Sequence, residues 1–230
     1  MKTVGIIGGV GPETTAQFYR SLILTAQELD KNARPPILIY SVPLPYAIER
    51  DSILNATGEE RNIPYLVEAA KILEKGGADF LVMPCNTLHA FIGDIRSSVK
   101  IPVLSIIEET TDFLKTHGIS NVGLISTAST RKNKLYENAL KQSGINYEIP
   151  DNGQQEQIGH LIHNLVMGDV AKDDKEKLEN IIDSFESKNI RDIILACTDL
   201  QLLNPQHSKL KIWDTMKILA DVTVQEILKG

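Results

Sequence analysis

The chain has 230 residues, 42% of them hydrophobic, and a formal net charge of -6 from 24 basic and 30 acidic side chains that are interleaved along it. That length builds one large domain or two of about 100 residues, and the composition excludes a disordered chain. The absence of a basic stripe argues against nucleic acid or an anionic membrane surface as the main partner. The start, MKTVGIIGGVGPETT, has no apolar leader core, and no apolar run approaches the roughly 18 residues of a membrane span. Two cysteines are too few for a disulfide scaffold, so a cytoplasmic protein with free thiols is expected.

Short Val/Ile/Leu runs that stop at Gly, Ser, Cys or Thr alternate with amphipathic stretches, the pattern of parallel strands buried on both faces. In chain order the predicted elements begin with strand Thr3–Ile7, helix Thr14–Leu29, strand Pro36–Ser41, helix Ile63–Lys75 and strand Phe80–Met83. A strand Val103–Ser105 and helix Ile106–His117 follow, then strand Val122–Ser126, helix Asn133–Ser143 and strand Asn146–Ile149. Helices Gln155–Val166 and Lys175–Ser187, strands Ile193–Leu195 and Lys211–Trp213, and helix Thr215–Leu228 complete the chain. The class is α/β with right-handed crossovers.

The halves repeat. VGIIGGVGPETT from Val4 matches VGLISTASTRKN from Val122, GADFLVMPCNTLH around Cys85 matches IRDIILACTDLQ around Cys197, and IPVLSII from Ile101 loosely matches KLKIWDTM from Lys209. Two similar open parallel-sheet domains related by a pseudo-twofold repeat are therefore expected. Each would place one cysteine loop at the carboxyl end of a strand, facing an interdomain cleft. The expected division is 1–103 with 211–230, whose last helix packs back, and 104–210.

Singly, either cysteine reads as a buried, inert thiol. Together, at matching strand ends, Cys85 and Cys197 read as an acid and base facing the Cα of a small substrate, because a thiol of pKa about 8.5 needs only a modest push to exchange protons near neutrality. If one is thiolate and the other thiol, removal of a proton from one face and delivery to the other inverts the carbon. Backbone amides after the cysteines, with Asn86, Thr87 and Thr198, are candidate donors to a carboxylate on which charge develops. The Gly8–Pro12 turn lacks the spacing of the dinucleotide GxGxxG motif and reads as a tight loop whose backbone approaches the substrate, with Gly9 as a contact. No cofactor is implied: there is no Walker lysine motif, no metal-ligand cluster and no signature that nominates a lysine for pyridoxal phosphate.

The segments KTVGIIGGVGPETT, ADFLVMPCNTLHAF, IPVLSIIEET and IILACTDL together resemble the aspartate/glutamate racemase family, closest to its aspartate racemases, over nearly the whole chain. The resemblance implies a cofactor-independent two-base racemase, a homodimer, with Cys85 and Cys197 as the catalytic pair and aspartate, or glutamate, as substrate. It puts Asn86, Thr87 and Thr198 on the substrate, adds Thr127 as a further contact, and puts Arg50 on the distal carboxylate. A lysine that the pattern expects in the second domain is replaced by Met167, with Lys172 several residues beyond. His89 and Asp199 are supporting candidates, each with a capping role as the alternative. Two other readings stay open: a related isomerase or lyase of the hydantoin racemase or maleate isomerase type, and a non-catalytic small-molecule binding protein.

Overall fold

Strand β1 (Val4–Gly8) is buried along its whole length, and its pleat sends Val4 and Ile6 to one face and Ile7 to the other. It pairs in parallel with β2 (Ile37–Ser41) and β3 (Phe80–Val82), giving the order β2-β1-β3. The second sheet repeats the plan with β4 (Asn121–Ser126) between β5 (Asn146–Glu148) and β6 (Asp192–Ala196), and adds β7 (Lys211–Asp214) beyond β6. This is a computed structural model, and it describes residues 1–45, 47–48 and 57–229.

The two-sheet architecture agrees with the repeat in the sequence, down to a pair of matching glycines. A Cβ on Gly5 would stand 2.6 Å from Leu81 Cδ2, and one on Gly123 would stand 2.6 Å from Ile193 Cδ1. Val103 holds the place in the first sheet that β7 holds in the second, but as a single bridge to Leu81 and not the expected strand. The reason is local: Ser105 already serves as the N-cap of the next helix, its hydroxyl accepting from the Glu108 N–H at 3.4 Å.

The α-helices named among the described residues are α1 (Pro12–Leu29), α2 (Ile63–Lys75), α3 (Ile92–Ser98), α4 (Ile106–Thr116), α5 (Ala128–Lys132), α6 (Leu135–Gln142), α7 (Asn152–Met167), α8 (Asp174–Asp183) and α9 (Thr215–Leu228). Pro12 opens α1, where its missing N–H costs nothing, and α7 starts with a capping box between Asp151 and Gln154. Helices α3 and α5 were not expected: α3 has seven residues, and the Ser/Thr-rich start of α5 reads as loop.

The packing interleaves the halves. Helix α4 follows the first sheet yet packs on α6 beside the second, whereas α9 follows the second sheet and packs on α1 and on α4. One central core results, joining Val4, Phe18, Phe80, Ile106, Val122, Tyr136, Ile194 and Leu219, while each sheet has a separate outer cluster. Lys211–Asp214 is hydrogen-bonded to β6 in the second sheet, and α9 starts directly after it at Thr215.

Candidate active site

The alternation of β3 and β6 aims the cysteines. Leu81, Met83 and Cys85 follow one another on the outer face of the first sheet, and Ile193, Leu195 and Cys197 do so on the second. Past the strand ends, both thiols line one cleft between the lobes. Asn86, Thr87, Thr127, Thr198 and Asp199 share that lining, so the structure brings most of the expected residues together.

The two thiols differ. Cys197 is 4% exposed, whereas Cys85 is only partly buried. Burial pushes the Cys197 thiol well above its usual range. The Asp199 carboxylate, whose Oδ2 lies 3.8 Å from Sγ, pushes the same way, and negative charge on the Cys85 sulfur adds a smaller push. The N–H groups of Asp199 and Leu200 point at the sulfur and oppose these effects without cancelling them. Burial and the Asp199 charge both favour the neutral form of the Cys197 thiol, and the amides after it point at the sulfur.

Across the cleft, the Thr87 hydroxyl lies 3.0 Å from that of Thr127 and 3.2 Å from that of Thr130. Thr127 also caps α5, accepting from the Thr130 N–H at 3.0 Å. Asn86 is almost fully committed: Tyr136 donates to its Oδ1 at 2.6 Å, and its Nδ2 donates to Thr215 at 3.2 Å. His89 does not reach the cleft lining. Its Nδ1 donates to the Cys85 carbonyl at 2.6 Å and its Nε2 accepts from the Ile106 N–H at 3.1 Å, which ties the cysteine loop to the start of α4.

Gly9 is spent on its own turn, with φ +79°, its N–H donating to Thr15 Oγ1 at 3.0 Å, and no room for a Cβ, which would stand 2.6 Å from the Val42 nitrogen. Its neighbours Val10 and Gly11 line the cleft in its place. Arg50 lies outside the described residues. Met167 is 44% exposed, and the same helix sends Ile162 and Val166 into the cleft. Among the described residues, Leu44, Asn62 and Leu88 also line the cleft. The apolar members were legible only as core positions, since an i, i+4 pair such as Ile162 and Val166 looks the same facing a cleft or a neighbouring helix.

Asn62 is buried, and its Nδ2 donates to the Glu59 carbonyl at 2.8 Å. Its Oδ1 accepts from none of the described residues, which leaves a buried acceptor at the cleft wall.

This geometry has counterparts. The family model for Asp/Glu/Hydantoin racemase matches residues 7–223. The broad specificity amino-acid racemase RacX of Bacillus subtilis (strain 168) is 29% identical over 98% of each chain. Among solved structures, an aspartate racemase homologue from Pyrococcus horikoshii OT3 superposes with a TM-score of 0.80 at 29% identity over 100% of both chains. The Picrophilus torridus aspartate racemase gives 0.81 at 26% identity, covering 99% of this chain and 94% of its own. The paired strand-end thiols thus sit in a fold shared end to end with racemases, and the chain belongs to the Asp/Glu/Hydantoin racemase family.

Proposed function

We propose that the protein is a cofactor-independent amino-acid racemase in which Cys85 and Cys197 work on opposite faces of the substrate Cα. The observation that carries this reading is the placement of both thiols, at the ends of repeat-related strands, in the lining of one cleft. In this reading Cys197, buried beside Asp199, starts with its proton, and Cys85, the more accessible sulfur, starts as the base. Cys85 takes the Cα proton, the electron pair delocalises toward the carboxylate, and the Cys197 S–H delivers its proton to the other face. The roles of the two sulfurs are then exchanged, and the reverse reaction restores them.

Thr87, Thr127 and Thr198 supply neutral hydroxyls for the carboxylate, and the buried Oδ1 of Asn62 offers an acceptor to the ammonium. We take aspartate as the substrate, with Arg50 gripping the distal carboxylate bidentately. Glutamate is the next candidate. A neutral amino acid is a second reading, favoured by the apolar lining from Val10, Leu44, Ile162 and Val166 and by the broad specificity named for the Bacillus relative.

The test is incubation of the reduced protein with L-aspartate, L-glutamate and L-alanine in deuterium oxide, following α-proton loss and D-enantiomer formation. Exchange with inversion is expected, and Cys85→Ser or Cys197→Ser each should abolish inversion. Retention of substantial activity in Cys197→Ser would favour the isomerase or lyase reading, and binding without exchange would favour the binding protein.

A further inference from the structure

Asn86 lies next to Cys85 in the first lobe, but the groups that hold its side chain come from elsewhere. Tyr136, on α6 of the second lobe, is fully buried and lies 2.6 Å from Asn86 Oδ1. Thr215, fully buried at the start of α9, lies 3.2 Å from Asn86 Nδ2 and 3.0 Å from the carbonyl of Leu195, two residues before Cys197. A buried line of hydrogen bonds therefore runs from the loop of one thiol to the strand of the other.

The direction of that line is fixed by chemistry. A backbone carbonyl only accepts, so the Thr215 hydroxyl spends its one hydrogen on Leu195. Gln201 Nε2, 3.5 Å from the same hydroxyl oxygen, also approaches it as a donor. The Thr215 oxygen must then accept from Asn86 Nδ2, which turns Asn86 Oδ1 toward Tyr136, and the tyrosine hydroxyl must donate. A flipped amide would draw the Thr215 hydrogen away from Leu195, exchanging its 3.0 Å bond for the longer 3.3 Å one that Gln201 Nε2 gives that carbonyl. Nδ2 carries a second hydrogen, and Asn86 lines the cleft.

We propose that Tyr136 is a positioning residue that, through Asn86, makes the cleft wall beside Cys85 present an N–H and not a carbonyl to the substrate carboxylate. The inference rests on the racemase reading for the reaction it serves. As the Cα proton leaves, negative charge builds on the carboxylate oxygens. A donor aimed there stabilises that charge, and a carbonyl would repel it.

The experiment is a double-mutant cycle with Tyr136→Phe and Asn86→Ala, with Thr215→Val alongside. It is read by the kcat and KM of α-proton exchange and by the rise in Tm on adding L-aspartate, L-glutamate or L-alanine. Tyr136→Phe should lower kcat roughly 10- to 100-fold with a much smaller change in KM, and Thr215→Val should act in the same direction. In the Asn86→Ala background Tyr136→Phe should cost less than about twofold more, because the group it orients is gone. A purely structural tyrosine would instead lower Tm and kcat together, by the same factor whether or not Asn86 is present, and that result would overturn the proposal. So would a Tyr136→Phe enzyme within about twofold of wild type. If an amino acid raises the wild-type Tm without exchanging its α-proton, the racemase reading fails separately. Tyr136 is then judged by whether Tyr136→Phe and Asn86→Ala reduce that rise non-additively.

Discussion

His89 should make the fold acid-sensitive by an amount that its surroundings allow to be worked out. Burial is the main cause that drives its pKa from 6.5 down to about 4, with the Arg96 charge adding to it and the Cys85 carbonyl and Glu108 opposing it. The geometry agrees, since a proton on Nε2 would face the Ile106 N–H, donor against donor, at 3.1 Å. Above pH 6.5 the imidazole is neutral folded and unfolded, and its contribution to stability is fully present. As pH falls toward 4 only the unfolded chain takes up the proton, and about 3 kcal/mol is lost. Asp214 slopes the other way: burial raises its carboxyl to about 6, so its contribution is present at low pH and lost as pH rises through 6. A wild-type curve alone would therefore mix two opposed effects. The informative quantity is the difference in urea unfolding free energy between wild type and His89→Gln, a side chain that can both donate and accept but does not titrate. That difference should be constant above pH 6.5 and shift against the wild type by about 3 kcal/mol by pH 4. A flat difference, or an imidazole that titrates near 6.5 by NMR, would refute the reasoning.

The unequal thiols should alkylate unequally: with iodoacetamide at pH 8, mass spectrometry should find Cys85 modified well ahead of Cys197, and equal rates would contradict the burial of Cys197. Above about pH 9 the unfolded chain loses the Cys197 proton while the fold retains it, so wild-type stability should fall with rising pH relative to Cys197→Ala. Gly5→Ala and Gly123→Ala each force a Cβ to within 2.6 Å of a neighbouring side chain. Each should cost about 1–3 kcal/mol in denaturant unfolding, and a neutral result at either would mean that the sheet yields there.

The fold was legible because its strands are short, apolar and bounded by Gly, Ser, Cys or Thr, and because the two halves carry the same marks in the same order. Helices Ile63–Lys75 and Thr215–Leu228 fall where the periodicity puts them. The thiols were legible as a pair for the same reason, since a repeat turns two unremarkable cysteines into two equivalent positions. The partners of Asn86 were not: Tyr136 sits on an amphipathic helix where a buried aromatic needs no special reading, and Thr215 looks like an ordinary first-turn residue. Their hydrogen bonds span 50 and 129 residues of sequence, and no local pattern encodes that separation. Val103 was read as a strand because its apolar run resembles the one ending at Trp213, yet the cap at Ser105 ends the extended chain after one bridge.

The interleaved helices bear on how two thiols are held across one cleft, as the proposed two-base reaction requires. Had each lobe packed its own helices, the separation of the thiols would depend on a surface contact between two bodies. Here α4 packs on α6 of the second lobe, and α9 packs on α1 of the first while still touching β6 and β7, so the interior between the sheets is one cluster containing residues from both. Close-packed interiors yield little, and proton transfer between a thiol and a Cα tolerates little misplacement. The polar line from Tyr136 to Leu195 crosses the same region, and His89 ties the Cys85 loop to the first residue of α4. Each sulfur is thereby fixed to a strand of its own sheet and, through one or two hydrogen bonds, to a helix shared with the other lobe.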